Sequence, residues 1–214
     1  HFITGRDPLE FRRVLMQKHP KHLAVLNAAA DKAGWGKPLP AGVHRGIAQF
    51  MGYGSYTAAV AEVSVKGEEV KVLRLVLATN CGHAVNPQQI EAQIEGSFAY
   101  GLSAALYGEC TVKNGRMEQD NFHTYPVVKM ADMPRVESIV MPSGGFWGGV
   151  GEPTIAVAAP AVLNATCTSW PFTASWMSMA SAPPSPPTRR LAWRRCCVPQ
   201  WLTVGPSASA LASA

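Results

Sequence analysis

Apolar and polar positions along this chain follow two periods, and each predicts a different kind of element. Between Asp7 and Ala33, apolar residues recur every three or four positions, the spacing of an amphipathic helix. Asp7-Pro8-Leu9-Glu10 reads as a helix start, with Asp7 as cap and Pro8 in the first turn. Phe11, Val14 and Leu15 form its apolar face, and His19-Pro20 breaks it. A second helix is predicted from Lys21 to about Ala33, with Leu23, Leu26 and Ala30 inward, ending at Gly34-Trp35-Gly36. From Gly46 the pattern changes to that of strands. Tyr56–Val65 and Val70–Ala78 predict two strands joined through Lys66-Gly67-Glu68. Ile90, Ile94, Phe98, Leu102 and Leu106 at spacing four then predict a helix over Gln88–Leu106. Asn114-Gly115 marks a two-residue hairpin between Cys110–Val112 and Met117–Gln119.

Composition changes the picture at the C-terminal end. The chain has 214 residues and a formal net charge of +5. Residues 166–214 hold Arg189, Arg190, Arg194 and Arg195 and no acid, so the first 165 residues carry only +1. That near-neutral body implies no nucleic-acid partner and no charged membrane surface. Residues 166–214 also hold four of the six Trp and lack any helical or strand period; they read as a disordered or out-of-frame tail. No apolar run reaches the length of a membrane span. The start at His1 rather than Met reads as that of a fragment or processed chain. The five cysteines form no CxxC or CxxCH, which argues against a zinc ribbon, a c-type haem or an iron–sulfur site in this chain.

Candidate chemistry concentrates in FWGGVGEPTIAVAAPAVLNA (Phe146–Ala165), where Glu152 is the one ionisable side chain. Two readings fit. A carboxylate beside Pro153 suits a helix N-terminus. Alternatively, Glu152 is a base in a dry pocket formed with Phe146, Trp147, Val150 and Ile155, next to glycines that let a ligand approach. Gly96 and Gly101 sit inside a predicted helix at a cost of about 1 kcal/mol each, which points to close packing. His44, His83 and His123 are lone loop histidines and read as structural; no metal ligand is assigned.

Three blocks carry a family resemblance: NCGHAVNP (Asn80–Pro87), QIEGSFAYGLS (Gln93–Ser103) and GGVGEP (Gly148–Pro153). Together, in this order, they resemble the C-terminal part of the large molybdenum-binding subunit of the xanthine dehydrogenase/aldehyde oxidoreductase family. DPLEFRRVLMQKHPKHLAVLNAAADKAGW (Asp7–Trp35) and NFHTYPVVKMADMP (Asn121–Pro134) are similar to the isoquinoline 1-oxidoreductase and nicotinate dehydrogenase branch. The likeness covers about residues 7–165, and Asn80 stands where much of the family has Asp.

The resemblance implies an α+β fold. Residues 1–45 would form a helical scaffold segment, 46–165 the C-terminal part of the molybdenum-cofactor-binding domain, and 166–214 a non-family tail. It implies a hydroxylase that oxidises a C–H beside a ring nitrogen, or an aldehyde, with water as the oxygen source. Glu152 would be its catalytic base, and Gln93, Gly96, Gly148, Gly149 and Gly151 would lie at the cofactor. The cofactor would be a molybdenum pyranopterin, in the family's molybdopterin cytosine dinucleotide form. Electrons would pass to [2Fe–2S] clusters in a small partner subunit, and in the nicotinate branch on to a c-type cytochrome. The alternative is a non-catalytic assembly domain that keeps the fold.

Overall fold

The computed structural model describes residues 5–67 and 69–169. The segment 170–214, most of the expected tail, lies outside the described residues. The architecture is α+β, with a four-stranded mixed sheet between helices. In chain order the elements are α1 (Pro8–Leu15), α2 (Pro20–Ala33), β1 (Val43–Gly52), β2 (Ser55–Lys66), β3 (Glu69–Asn80) and α3 (Pro87–Leu106). There follow β4 (Val112–Lys113), β5 (Arg116–Met117), β6 (Arg135–Val140), α4 (Glu152–Ile155) and α5 (Ala158–Ser169). The main sheet runs β1-β2-β3-β6, antiparallel except for the parallel β3–β6 pair, and β4 and β5 form a separate hairpin.

Both faces of the sheet are covered, so β2 reads as nearly continuous Ala and Val rather than as a clean alternation. Successive side chains still point to opposite sides. Ala58 and Val60 join Val25, Leu26, Ala29 and Ala30 of α2 in one apolar cluster. Ala59, Ala61 and Val63 join Ile94, Phe98 and Leu102 of α3 and Val157, Ala161 and Ala165 of α5 in the other. Arg45, Glu62, Arg74 and Glu137 cross the strands as an ion-pair ladder. Arg45 and Arg74 also donate to the carbonyls of Gly34 and Lys32 at the end of α2, where cations suit the helix dipole.

Three local expectations meet the structure. The Asp7 carboxylate accepts from the N–H of Leu9 and Glu10, and its second oxygen accepts from Trp35 Nε1 at 3.0 Å. Replacing Asp7 with Ala removes a cap and a tertiary bond together; the expected loss is about 1–2 kcal/mol, read as a lower denaturant midpoint. Asn114 and Gly115 both take positive φ, the two-residue turn that their pairing predicted. Ile90, Ile94, Phe98 and Leu102 form the buried stripe of α3. Two refinements concern boundaries. Pro20 opens α2 as well as ending the preceding turn. The last helix, α5, runs to Ser169, four residues past the expected limit of 165.

Candidate active site

The loop 148–151 is held to the sheet by its own backbone. Gly148 N donates to Cys81 O at 2.8 Å, and Gly149 N donates to Tyr53 O at 2.9 Å. Ser55 Oγ donates to Gly149 O at 2.6 Å, and Thr57 Oγ1 donates to Pro153 O at 3.2 Å. Glycine is required here for proximity. A Cβ on Gly148 would collide with Ser55 Oγ and the Gly54 backbone, and one on Gly149 would lie 3.1 Å from Tyr53 Cβ. Gly151 then caps α4, whose first residue is Glu152 and second is Pro153. A parallel clasp holds the neighbouring loop: buried Asn80 Oδ1 accepts from Gly82 N and Ser143 Oγ. The neighbouring thiol, Cys81, is also buried, and desolvation pushes its pKa up.

The structure brings Gln93, Gly148, Gly149, Gly151 and Glu152 to one end of the sheet. Gln93 Oε1 lies 3.5 Å from where a Cβ on Gly151 would stand. Gly96 is one turn further along the same exposed face of α3, with open space above it. The expected close packing belongs to Gly101 instead, where a Cβ would come within 2.6 Å of Ala158 Cβ. The apolar enclosure expected around Glu152 is not supplied by these residues. Glu152 is exposed, Phe146 is 91% exposed, and Trp147, 60% exposed, stacks toward His83 instead.

Sequence reasoning missed Tyr53, Ser55 and Thr57, the residues that seat the loop. The available signal was Tyr53-Gly54 between two apolar runs, a hairpin turn of the two-residue kind. The Glu152 carboxylate, as a hydrogen-bonding neighbour and a negative charge, pushes the pKa of the exposed Tyr53 phenol above its ordinary value. Among the described residues no group of three or more His, Cys, Asp or Glu gathers to hold a metal ion. The cluster suits an organic cofactor better. The Gln93 amide has no hydrogen-bond partner among the described residues, and it can donate and accept at once. The open strip over Gly96, next to Gln93 and Gly151, leaves room for a flat polar group, so these residues fit a pyranopterin, whereas the space at Gly148 and Gly149 is filled by the β1–β2 turn.

The model of one family, described as the molybdopterin cofactor-binding domain, matches residues 26–134, about half of the chain. The chain belongs to that family. It is 30% identical over 165 residues to the beta subunit of isoquinoline 1-oxidoreductase from Brevundimonas diminuta, covering 74% of this chain and 21% of that protein. It is 26% identical over 229 residues to a nicotinate dehydrogenase subunit of Pseudomonas putida, covering 90% of this chain and 19% of that protein. A reconstituted CO dehydrogenase from Oligotropha carboxidovorans superimposes with a TM-score of 0.49 at 20% identity, over 53% of this chain and 15% of that one. The chain thus spans about a fifth of the length of the curated relatives it matches. It is a molybdenum-binding subunit sequence of the xanthine dehydrogenase type. Among the described residues no helix is long and apolar enough to cross a membrane.

Proposed function

We propose that this chain supplies the general base and part of the cofactor cradle of a molybdenum hydroxylase. Its substrate is a nicotinate- or isoquinoline-like heterocycle, oxidised at a C–H beside the ring nitrogen, or an aldehyde; water supplies the oxygen. One observation carries the reading: Gln93 on α3, the β1–β2 turn and the glycine loop before Glu152 meet at one end of the sheet. When bound, a molybdenum pyranopterin in its cytosine dinucleotide form supplies the two-electron chemistry. Glu152 takes up a proton at a carboxylate oxygen. Gln93 presents its amide to the pterin edge, Gly96 and Gly151 admit the group close to the backbone, and Gly148 and Gly149 seat the loop against the β1–β2 turn. Walls that exclude water from Glu152 come from outside the described residues. Electrons leave to [2Fe–2S] clusters of a small partner subunit, and from there to a c-type cytochrome.

The test is dye reduction by the molybdenum-loaded enzyme containing this chain, offered nicotinate, isoquinoline and an aldehyde in ¹⁸O-water. Substrate-dependent reduction with label in the product is the expected result. Oxygen derived from O₂ would refute the hydroxylase assignment, and failure to bind molybdenum would favour the non-catalytic assembly domain. Gln93→Ala is expected to lower molybdenum content or alter the Mo(V) signal while leaving the circular dichroism spectrum in place. An unchanged metal content and signal would return Gln93 to an ordinary exposed helix face.

A further inference from the structure

Strand β1 is an outer strand of the main sheet, and its free side is open. The β1–β2 hairpin turns through two residues, Tyr53-Gly54, so Gly52 and Ser55 form a hydrogen-bonded pair and the bonded positions of β1 are the even-numbered ones. The bond from Val65 N to Gly42 O keeps the same phase at the far end. Arg45, Ile47 and Gln49 therefore turn their N–H and C=O groups away from β2. Asn164 Nδ2 donates to Ile47 O, and the other outward groups of these three residues meet no partner among the described residues. An open edge of this kind is a template for a further strand. Strand β1 does little to blunt it: VHRGIAQFMG holds no Lys and no Pro, and its register with β2 runs without a bulge. Its Arg45 side chain is tied back to Glu62 and to the carbonyls of Gly34 and Lys37.

A groove of about 390 Å³ lies at this edge, with Phe11 and Leu15 of α1 and Asn164 and Thr168 of α5 among its walls. Two polar groups that line it lack what a strand supplies. Gln49 Oε1 is buried and accepts from no donor among the described residues. The partly buried Arg12 donates Nη1 to Pro8 O at 3.0 Å and forms no ion pair among the described residues. Burial pushes the Arg12 pKa down, against the smaller raising effect of Asp7. No Asp or Glu lines the groove. We propose that the edge of β1 receives an extended acidic segment of a different polypeptide as a fifth strand, its main chain on Ile47 and Gln49 and a carboxylate on Arg12. Main-chain bonds give such a contact its affinity, and the charged pair gives it selectivity. This chain does not supply the occupant itself. Strand β1 of a second copy holds no Asp or Glu, and Glu152 is the last acid in the sequence, so residues 170–214 hold none either. The inference uses neither Glu152 nor the cofactor.

The test compares the 214-residue chain alone with the multi-subunit enzyme that contains it. Hydrogen exchange at the Ile47 and Gln49 amides is expected to slow about tenfold or more on assembly, because both gain a main-chain acceptor. A benzophenone side chain placed at Leu15 is expected to cross-link, in the assembly, to a segment of another polypeptide that contains Asp or Glu. Arg12→Glu is expected to weaken association about tenfold or more, since it sets one carboxylate against another. Gln49→Pro removes an N–H that the β2 ladder does not use, and it is expected to weaken association as well. Circular dichroism of the chain alone should match wild type in both variants. If Gln49→Pro folds poorly, the exchange and the cross-link on the unaltered edge still decide. Unchanged exchange at Ile47 and Gln49 on assembly, a cross-link confined to β1 of a second copy, or association untouched by Arg12→Glu overturns the inference.

Discussion

Glu152→Gln is expected to lower turnover by about 10²–10⁴-fold, the usual contribution of a general base. The amide keeps the size and shape of the side chain and cannot take up the proton. The loop itself does not depend on the carboxylate. It is seated by Gly148 N on Cys81 O, Gly149 N on Tyr53 O and Thr57 Oγ1 on Pro153 O, and Thr154 Oγ1 closes back on Gly151 O at 2.8 Å. Molybdenum content and thermal stability are therefore expected to match those of the wild-type enzyme. The loss should fall on kcat more than on KM, because the proton moves only on the way to the transition state. Steady-state kinetics with metal analysis on the same sample check it. Turnover near the wild-type value would take Glu152 out of the chemistry.

Gly46→Ala is expected to have the largest effect on stability. At Gly46, β1 touches α5 so closely that a Cβ would collide with Ala165 N and Ala161 O, with the Asn164 carbonyl carbon also within reach. These are backbone atoms and cannot rotate aside as a side chain would. Helix α5 would have to lift off the sheet, weakening the bond from Asn164 Nδ2 to Ile47 O and loosening Val157, Ala161 and Ala165 in the core. Overpacking of this kind costs about 1–3 kcal/mol, and a backbone obstacle places it at the upper end. For a chain of this size, that is a fall in Tm of roughly 6–12 °C. A Tm within a degree of wild type would mean that α5 is not seated on β1 in solution.

What could be read along the chain were features decided within a few residues. Asp7-Pro8 set the start of α1, Asn114-Gly115 set a turn, and the spacing of Ile90, Ile94, Phe98 and Leu102 set the buried stripe of α3. The GGVGEP loop, with one carboxylate in an apolar stretch, marked the candidate base in the same local way. Strand β6 was missed. Its RVESIV is half-buried and pairs in parallel with β3, about sixty residues earlier, so no local period announces it. Tyr53 was missed because a tyrosine does not advertise a left-handed turn. The expected enclosure of Glu152 failed because apolar neighbours in sequence, Phe146 and Trp147, point elsewhere in space.

The sequence by itself determined α1, α2 and α3, the β2–β3 and β4–β5 ribbons, the family and the residue to nominate as base. Caps, periodicity and turn chemistry act over about four residues, and the three family blocks are contiguous strings. Only the tertiary structure decided which groups stand beside Glu152. Tyr53, Gln93 and Gly151 are separated by tens of residues; they converge because the β1–β2 register puts the turn at the end of the sheet where α3 begins. Gly101 lets α3 pack closely against Ala158 of α5, just past the loop that carries Glu152. Register and helix crossing are set by the fit of whole faces, and a single position in the chain carries no record of them.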